Sequence, residues 1–235
     1  MTLLLVAGTG EARALASSLT DAGVAHAIWL PEDARIDSTG QADHRGPLKE
    51  FLQTLRPQAV LDASHPFAVD TSRIAARFCA ENVVPYCLLR RPEWTAQEGD
   101  LWTHVTSDAD AARQIPPGST VLVASGREGL MAYAARPDCR IFCRQIGAPG
   151  VPCPLPNGDW LVQQPPFPVS EELELFQRLG IDWLVLRNAG SVRAETKLTA
   201  ARLLGVRVAM IARPAPPEGT QVATVAEALD WARAP

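Results

Sequence analysis

Apolar positions in this chain fall into short unbroken runs. Each run is followed by small residues and then by an amphipathic stretch rich in Ala and Leu. Leu3-Leu4-Leu5-Val6-Ala7 is the first of them. An unbroken apolar run of that length predicts a strand buried on both faces, as in a parallel sheet. Gly8-Thr9-Gly10 then predicts a tight turn, and a helix is expected to about Thr20, stopped by Asp21-Ala22-Gly23. The alternation continues with strands at 24–30, 59–62, 85–89, 102–105, 120–124, 140–143, 160–162, 183–186 and 206–211. Helices are expected at 48–55, from after Pro66 to about Cys79, and at 108–115. One should open after Ser125-Gly126-Arg127-Glu128-Gly129, and one should run from a Ser170-Glu171-Glu172 cap to Leu179. Another contains Lys197 and stops at Gly205, and an amphipathic helix at 224–232 closes the chain. Residues 36–46 read as a polar loop around a short strand, and the prolines at 149–168 and 214–217 as stiff connections.

Repeated βα units predict an α/β fold with two Rossmann-like domains, open and mostly parallel sheets, and a ligand cleft between them. The turn signals at 91–100 place the crossover there. The expected domains are 1–98, with the cofactor site, and 99–235, completing the substrate cleft.

Composition narrows the classes. The 235 residues are 47% hydrophobic and 20% charged, with a net charge of −4. That balance does not point to nucleic acid. No apolar run reaches the roughly 18 residues of a membrane span. The first run lacks a basic segment before it, so it reads as a strand and not as a signal peptide. Five cysteines without a C-x-x-C argue against a disulfide framework or a metal site. They read as reduced core residues of a cytoplasmic protein.

The first strand–turn–helix has the form of a phosphate cradle, in which helix N–H groups meet a pyrophosphate. Gly8 and Gly10 fill the first two glycine positions of the dinucleotide fingerprint, but Arg13 holds the third. It suggests a wider turn or a cation aimed at a phosphate; a tight turn without a ligand is the plain alternative. After the second strand, Glu32 or Asp33 would suit a free ribose 2′-hydroxyl and Arg35 a 2′-phosphate. A solvated charged loop fits that segment equally well. The strand at 59–62 delivers Ser64 and His65 to the carboxyl edge of its sheet, where ligands of open α/β sheets sit. His65 could donate a proton, bond a ligand or brace its own loop. His26, His44 and His104 read as structural or solvated. Arg13, Arg90, Arg91, Arg127, Arg144, Lys197 and Arg213 all map to strand ends or adjacent helix starts, which makes anion binding the natural task of those edges.

Several segments together resemble a known family. They are Gly8-Thr9 with Glu11 and Arg13; Asp62-Ala63-Ser64-His65-Pro66-Phe67-Ala68; Arg91-Pro92-Glu93-Trp94; Lys197 with Ala200-Ala201 and Leu204-Gly205; and Ile211-Ala212-Arg213-Pro214. In order and over nearly the whole chain they resemble the precorrin-6A reductases of cobalamin biosynthesis. One departure is Asn188-Ala189-Gly190-Ser191, where the family usually carries Ser-Gly. The resemblance implies a two-domain reductase that uses NADPH and transfers hydride to C19 of the precorrin-6A macrocycle, giving precorrin-6B. On this reading Gly8, Thr9, Gly10, Glu11, Arg13, Arg35 and Ser64 hold the cofactor. Arg90, Ser125, Gly126, Arg127, Arg144, Asn188, Lys197 and Arg213 bind the tetrapyrrole, and His65 is the catalytic candidate. The implied partner is this small molecule, with no nucleic acid, membrane or metal. A nucleotide sensor without turnover, or a cofactor-free tetrapyrrole synthase, would present similar loops.

Overall fold

A computed structural model describes residues 2–31, 43–147, 149–164 and 166–234. The chain forms two compact units, one of Met1–Pro92 with Pro214–Pro235 and one of Glu93–Arg213.

The first unit opens with β1 (Leu3–Val6), all four residues buried. Helix α1 (Gly10–Asp21) starts because Thr9 is extended and its Oγ1 accepts from the Ala12 N–H, capping one of the orphan amides. Ala12, Leu15, Ala16 and Leu19 give it one buried face. β2 (His26–Leu30), β3 (Asp43–Arg45), α2 (Leu48–Leu55), β4 (Ala59–Asp62), α3 (Val69–Asn82) and β5 (Tyr86–Leu89) follow. β1 pairs in parallel with β2 on one side and β4 on the other, so the strand order reverses at β1. The sheet is packed on both faces. Leu3, Leu5 and Leu61 join α1 on one, and Leu4, Val6 and Val60 join α2 and α3 on the other.

The second unit contains β6 (Trp102–Val105), α4 (Asp108–Gln114), β7 (Thr120–Val123), β8 (Arg140–Ile146) and β9 (Gly158–Gln163). It continues with α5 (Val169–Leu179), β10 (Trp183–Arg187), α6 (Thr196–Leu204) and β11 (Arg207–Ile211). Its core runs from Leu122 and Leu184 to Phe176, Leu198 and Met210. Two local expectations are corrected here. The segment after Gly129 is a 3-10 helix, Leu130–Ala135, not an α-helix. A Cβ at Gly129 would lie 1.9 Å from Asp108 Oδ2, so the backbone is pinned against that carboxylate as the turn begins. Helix α5 starts after Pro168 without a side-chain cap, so Ser170 is inside it. Proline's fixed φ is already suited to a helix start.

The chain then returns to the first unit as β12 (Thr220–Val222) and α7 (Val225–Arg233). β12 pairs in parallel with β5, and α7 buries Ala228 and Ala232 in the core formed with α1. The sheets therefore run β12-β5-β4-β1-β2-β3 and β6-β11-β10-β7-β8-β9, every pairing parallel. Both have the strand order of a dinucleotide-binding sheet. In each, the sixth position is taken by a strand from an unexpected part of the chain: the last strand completes the first sheet, and β6 completes the second. The sequence reading, with domains of 1–98 and 99–235, differs from these units twice: residues 93–98 fall in the second unit and 214–235 in the first. β12 and its helix pair with β5 and α1, a non-local preference carried by too few residues to show in the pattern. Among the described residues no helix is long and apolar enough to cross a membrane.

Removing residues 214–235 should therefore unfold the first unit selectively. Hydrogen exchange should show lost protection at Tyr86–Leu89 and α1, while Leu184 and Val208 stay protected. Protection at β5 unchanged by the deletion would contradict the pairing.

Candidate cofactor and substrate sites

The first candidate site is the turn between β1 and α1. Neither Gly8 nor Gly10 has a positive φ, so no left-handed backbone is needed here. Their reasons differ. A Cβ on Gly8 would lie 3.3 Å from the His65 amide nitrogen and 3.4 Å from Ser64 Cα, so Gly8 lets two strand-end loops touch. A Cβ on Gly10 would meet nothing within 4 Å, which leaves open space over the start of α1. The Gly10 and Glu11 N–H groups have no acceptor among the described residues. Arg13 is exposed on the first turn, and the buried Ala12 supplies the small side chain that packs helix on strand.

Thr9 and Glu11 face inward to the protein. Thr9 Oγ1 donates to the Ala63 carbonyl at 2.9 Å while capping Ala12. The Glu11 carboxylate is paired with Arg91, which holds a half-buried guanidinium beside the turn. Arg35, with Glu32 and Asp33, lies outside the described residues.

The loop after β4 is built on Asp62, which is fully buried. Its Oδ1 accepts from the Ser64 N–H at 2.9 Å and its Oδ2 from the Tyr86 hydroxyl at 2.8 Å. Burial first, and then the nearby Asp62, push the Tyr86 hydroxyl far above its ordinary pKa, so it stays a donor. Ser64 Oγ is shared with Ser72 Oγ at 3.1 Å. His65 Nδ1 accepts from the Phe67 N–H at 3.3 Å, which puts the proton of the neutral ring on Nε2. Arg90 Nη2 donates to the Pro214 carbonyl at 3.1 Å. The structure thus brings Ser64, His65 and Arg90 together around one cavity of about 30 Å³, closed by Pro214–Pro217.

In the second unit the sequence-predicted residues fall into separate groups along the carboxyl edge. Ser125 Oγ donates to Asp108 Oδ1 at 2.5 Å, and the Tyr133 hydroxyl donates to the same oxygen at 3.0 Å. This buried carboxylate braces its loop as Asp62 does in the other unit. Gly126 needs its glycine, with a φ of +99°. Arg127 donates to Gln145 Oε1 at 3.0 Å and lies over the Trp160 ring. Arg144 forms a bidentate pair with Glu172, at 2.5 and 2.8 Å, both side chains buried. Lys197 is buried nearby, with Phe167 under both cations. Asn188 clamps the Trp94 backbone from both sides, accepting its N–H and donating to its carbonyl. Arg213 donates to the Asn188 carbonyl at 2.5 Å with its side chain buried. Asn188 and Arg213 are thus each held by hydrogen bonds within the second unit. Sequence reasoning did not single out Asp108, Tyr86 or Glu172. An acid ending an apolar run, as Asp62 does, was the available signal for the loop braces.

Two doubly wound parallel sheets with small-residue turns at their carboxyl edges define a two-domain, Rossmann-like α/β protein. The description of the family model that matches residues 2–233 is "Precorrin-6x reductase CbiJ/CobK". The precorrin-6A reductase of Rhodococcus erythropolis is 37% identical over 242 aligned positions, covering 97% of this chain and 96% of the relative. That of Rhodobacter capsulatus is 35% identical, covering 97% and 94%. A solved structure of the CobK precorrin-6A reductase superposes with a TM-score of 0.90 at 35% identity, over 98% of this chain and 96% of the other. The chain belongs to the precorrin-6x reductase family.

Burial, with Arg144 adding to it, lowers the Lys197 amine from 10.5 to about 8, against the pull of Glu172. The unfolded chain therefore binds more protons than the folded one between those values, and stability rises with pH there. Below pH 8 the buried ammonium opposes folding. Lys197→Met should raise stability at pH 7 by about 3 kcal/mol, and the gain should fade above pH 10. Denaturant melts at the two pH values check this; a gain that does not depend on pH would contradict it.

Proposed function

We propose that this chain reduces precorrin-6A with NADPH, delivering hydride to C19 and giving precorrin-6B. Reduction of precorrin-6A, an oxidoreduction at a CH–CH bond, is the activity of the family to which the chain belongs. A reductase of this kind implies a nicotinamide cofactor. The observation that carries the cofactor reading is the turn from β1 to α1, with unpartnered amides at Gly10 and Glu11 and space above them. A pyrophosphate fits such a cradle: amide donors and the helix dipole favour its charge.

The nicotinamide supplies the hydride when bound. The residues of this chain bind and orient. Gly8 lets the Ser64–His65 loop close onto the turn, and Thr9 ties that loop down through the Ala63 carbonyl. Glu11 holds Arg91 at the cradle, and exposed Arg13 adds a second cation. In the second unit Arg127, Lys197 and the Ser125-Gly126 turn are the proposed contacts for the carboxylates of the tetrapyrrole. His65 is the proposed proton source for the reduced ring, giving up the proton of its imidazolium form and returning to the neutral ring. A cytoplasmic site of action fits a chain in which Cys79, Cys87, Cys139 and Cys143 are free and buried.

NADPH should be preferred over NADH by about tenfold to a hundredfold, the value of a charge-assisted bond to the 2′-phosphate. Arg35→Ala should remove most of that preference. Equal kcat/KM with both cofactors would sink the NADPH assignment, and an unchanged preference in the variant would move the reading of the phosphate to another cation.

Gly10→Val should weaken NADPH binding at least tenfold while shifting stability by less than about 1 kcal/mol, because the side chain enters open space and no positive φ is lost. Calorimetric titration beside thermal unfolding separates the two effects. A folded variant with wild-type affinity would exclude this turn as the cradle. The assay that tests the whole reading is loss of nicotinamide absorbance on mixing the protein, NADPH and precorrin-6A.

A further inference from the structure

Counted over the whole residue, backbone included, four acidic or basic residues are buried among those described: Asp62, Asp108, Glu172 and Lys197. Three are matched. Asp62 accepts from Ser64 and Tyr86, Asp108 from Ser125 and Tyr133, and Glu172 from both terminal nitrogens of Arg144. Lys197 has only 7% of its surface exposed, and its Nζ makes no hydrogen bond or ion pair among the described residues. It lies over the face of Phe167, 5.9 Å from the ring centre, a face it shares with Arg144.

We propose that Lys197 and Arg144 form the receptor for a carboxylate of the ligand held by the second unit, and that the bound carboxylate holds Lys197 in its charged form. The inference rests on the reading of that ligand as a tetrapyrrole acid. The charge balance carries it. Arg144 and Glu172 cancel, so a protonated Lys197 leaves one buried positive charge without a counter-ion. An unmatched ammonium in such a place is costly. Two further donors point the same way. Arg144 Nε and Thr196 Oγ1 are buried and have no acceptor. An ammonium, a guanidinium N–H and a hydroxyl, all lacking acceptors, call for an acceptor that carries negative charge. A carboxylate offers about four lone-pair sites and no donors.

The elements packed against α6 carry Glu171, Glu172, Glu174 and Arg178 on α5, Arg193 on the preceding turn, and Arg207 on β11. Of these only Glu172, together with Arg144 from β8, acts on the Lys197 charge. The amine therefore titrates near 8, and a bound anion raises that value. Binding and protonation are then linked.

The test follows the Lys197 amine by NMR in the whole protein, alone and with propionate, inorganic phosphate or precorrin-6A without NADPH. The midpoint should rise by at least one pH unit with propionate and with precorrin-6A. Precorrin-6A affinity should be flat below pH 8 and fall about tenfold per unit above it, the slope for one linked proton. Lys197→Arg should bind without that break, and Lys197→Met should lose at least tenfold at pH 7 and lose the break. A midpoint unmoved by propionate and precorrin-6A overturns the proposal, as does a midpoint moved by phosphate alone. A wild-type pH profile in Lys197→Met also overturns it. Failure of the wild type to reduce precorrin-6A would instead overturn the proposed function, and the propionate titration would still decide the carboxylate site.

Discussion

Everything chemical in this protein depends on one constraint: in each sheet all strands run the same way. Parallel pairing of β1 with both β2 and β4 sends consecutive connections to opposite faces and opens a crevice at their carboxyl ends. Helix N-termini, glycine turns and strand-end side chains are thereby gathered on one edge of each unit. The sheets can be this apolar because helices cover both faces, and the core clusters on either side of β1 are the physical form of that cover.

The edge loops are held by buried carboxylates. Asp62 and Asp108 lie on different units and different elements, yet each accepts from a serine of its loop and from a tyrosine hydroxyl. Such acceptors fix loop backbone without a side chain projecting into the ligand's space. Burial, and then the neighbouring carboxylate, keep both tyrosines protonated, so each stays a hydrogen-bond donor. Glycine at 129 completes the second brace, because Asp108 occupies the place of any Cβ there. Loop precision and loop chemistry are thus divided between different residues. The bracing carboxylates are buried and matched; the cations left for a ligand include exposed Arg13 and buried Lys197.

Much of the fold was legible because it rests on local pattern. Leu3–Val6 and Ala59–Asp62 are unbroken runs, apolar up to the final acid of the second, and the helix after the first carries its own stop signal, Gly23 beyond α1 with its φ of +69°. β12 was not legible. Thr220-Gln221-Val222 is a partly polar triplet at a sheet edge, and only its pairing with β5 makes it a strand. The candidate sites were legible as positions and less so as roles. Ser64, His65 and Arg90 are read from separate segments and do meet around one cavity. The pattern puts Arg144 and Arg213 at strand ends but does not show what holds either side chain. Their partners, Glu172 and the Asn188 carbonyl, are 28 and 25 residues away in sequence, beyond the reach of any local pattern.

The origin of the sixth strand in each sheet sets the order in which the protein can come into being. A ribosome delivers β1 to β5 first, but that sheet lacks its outer strand and the helix covering α1 until residues 220–233 emerge. The second sheet, by contrast, has its outer strand made first, as β6, and waits for β11 to join it to the rest. The earlier half of the nascent chain is therefore the later to be finished. Until then β5 presents an open parallel edge and an uncovered apolar patch around Leu19 and Leu61, the kind of surface that chaperones bind and that aggregates form from.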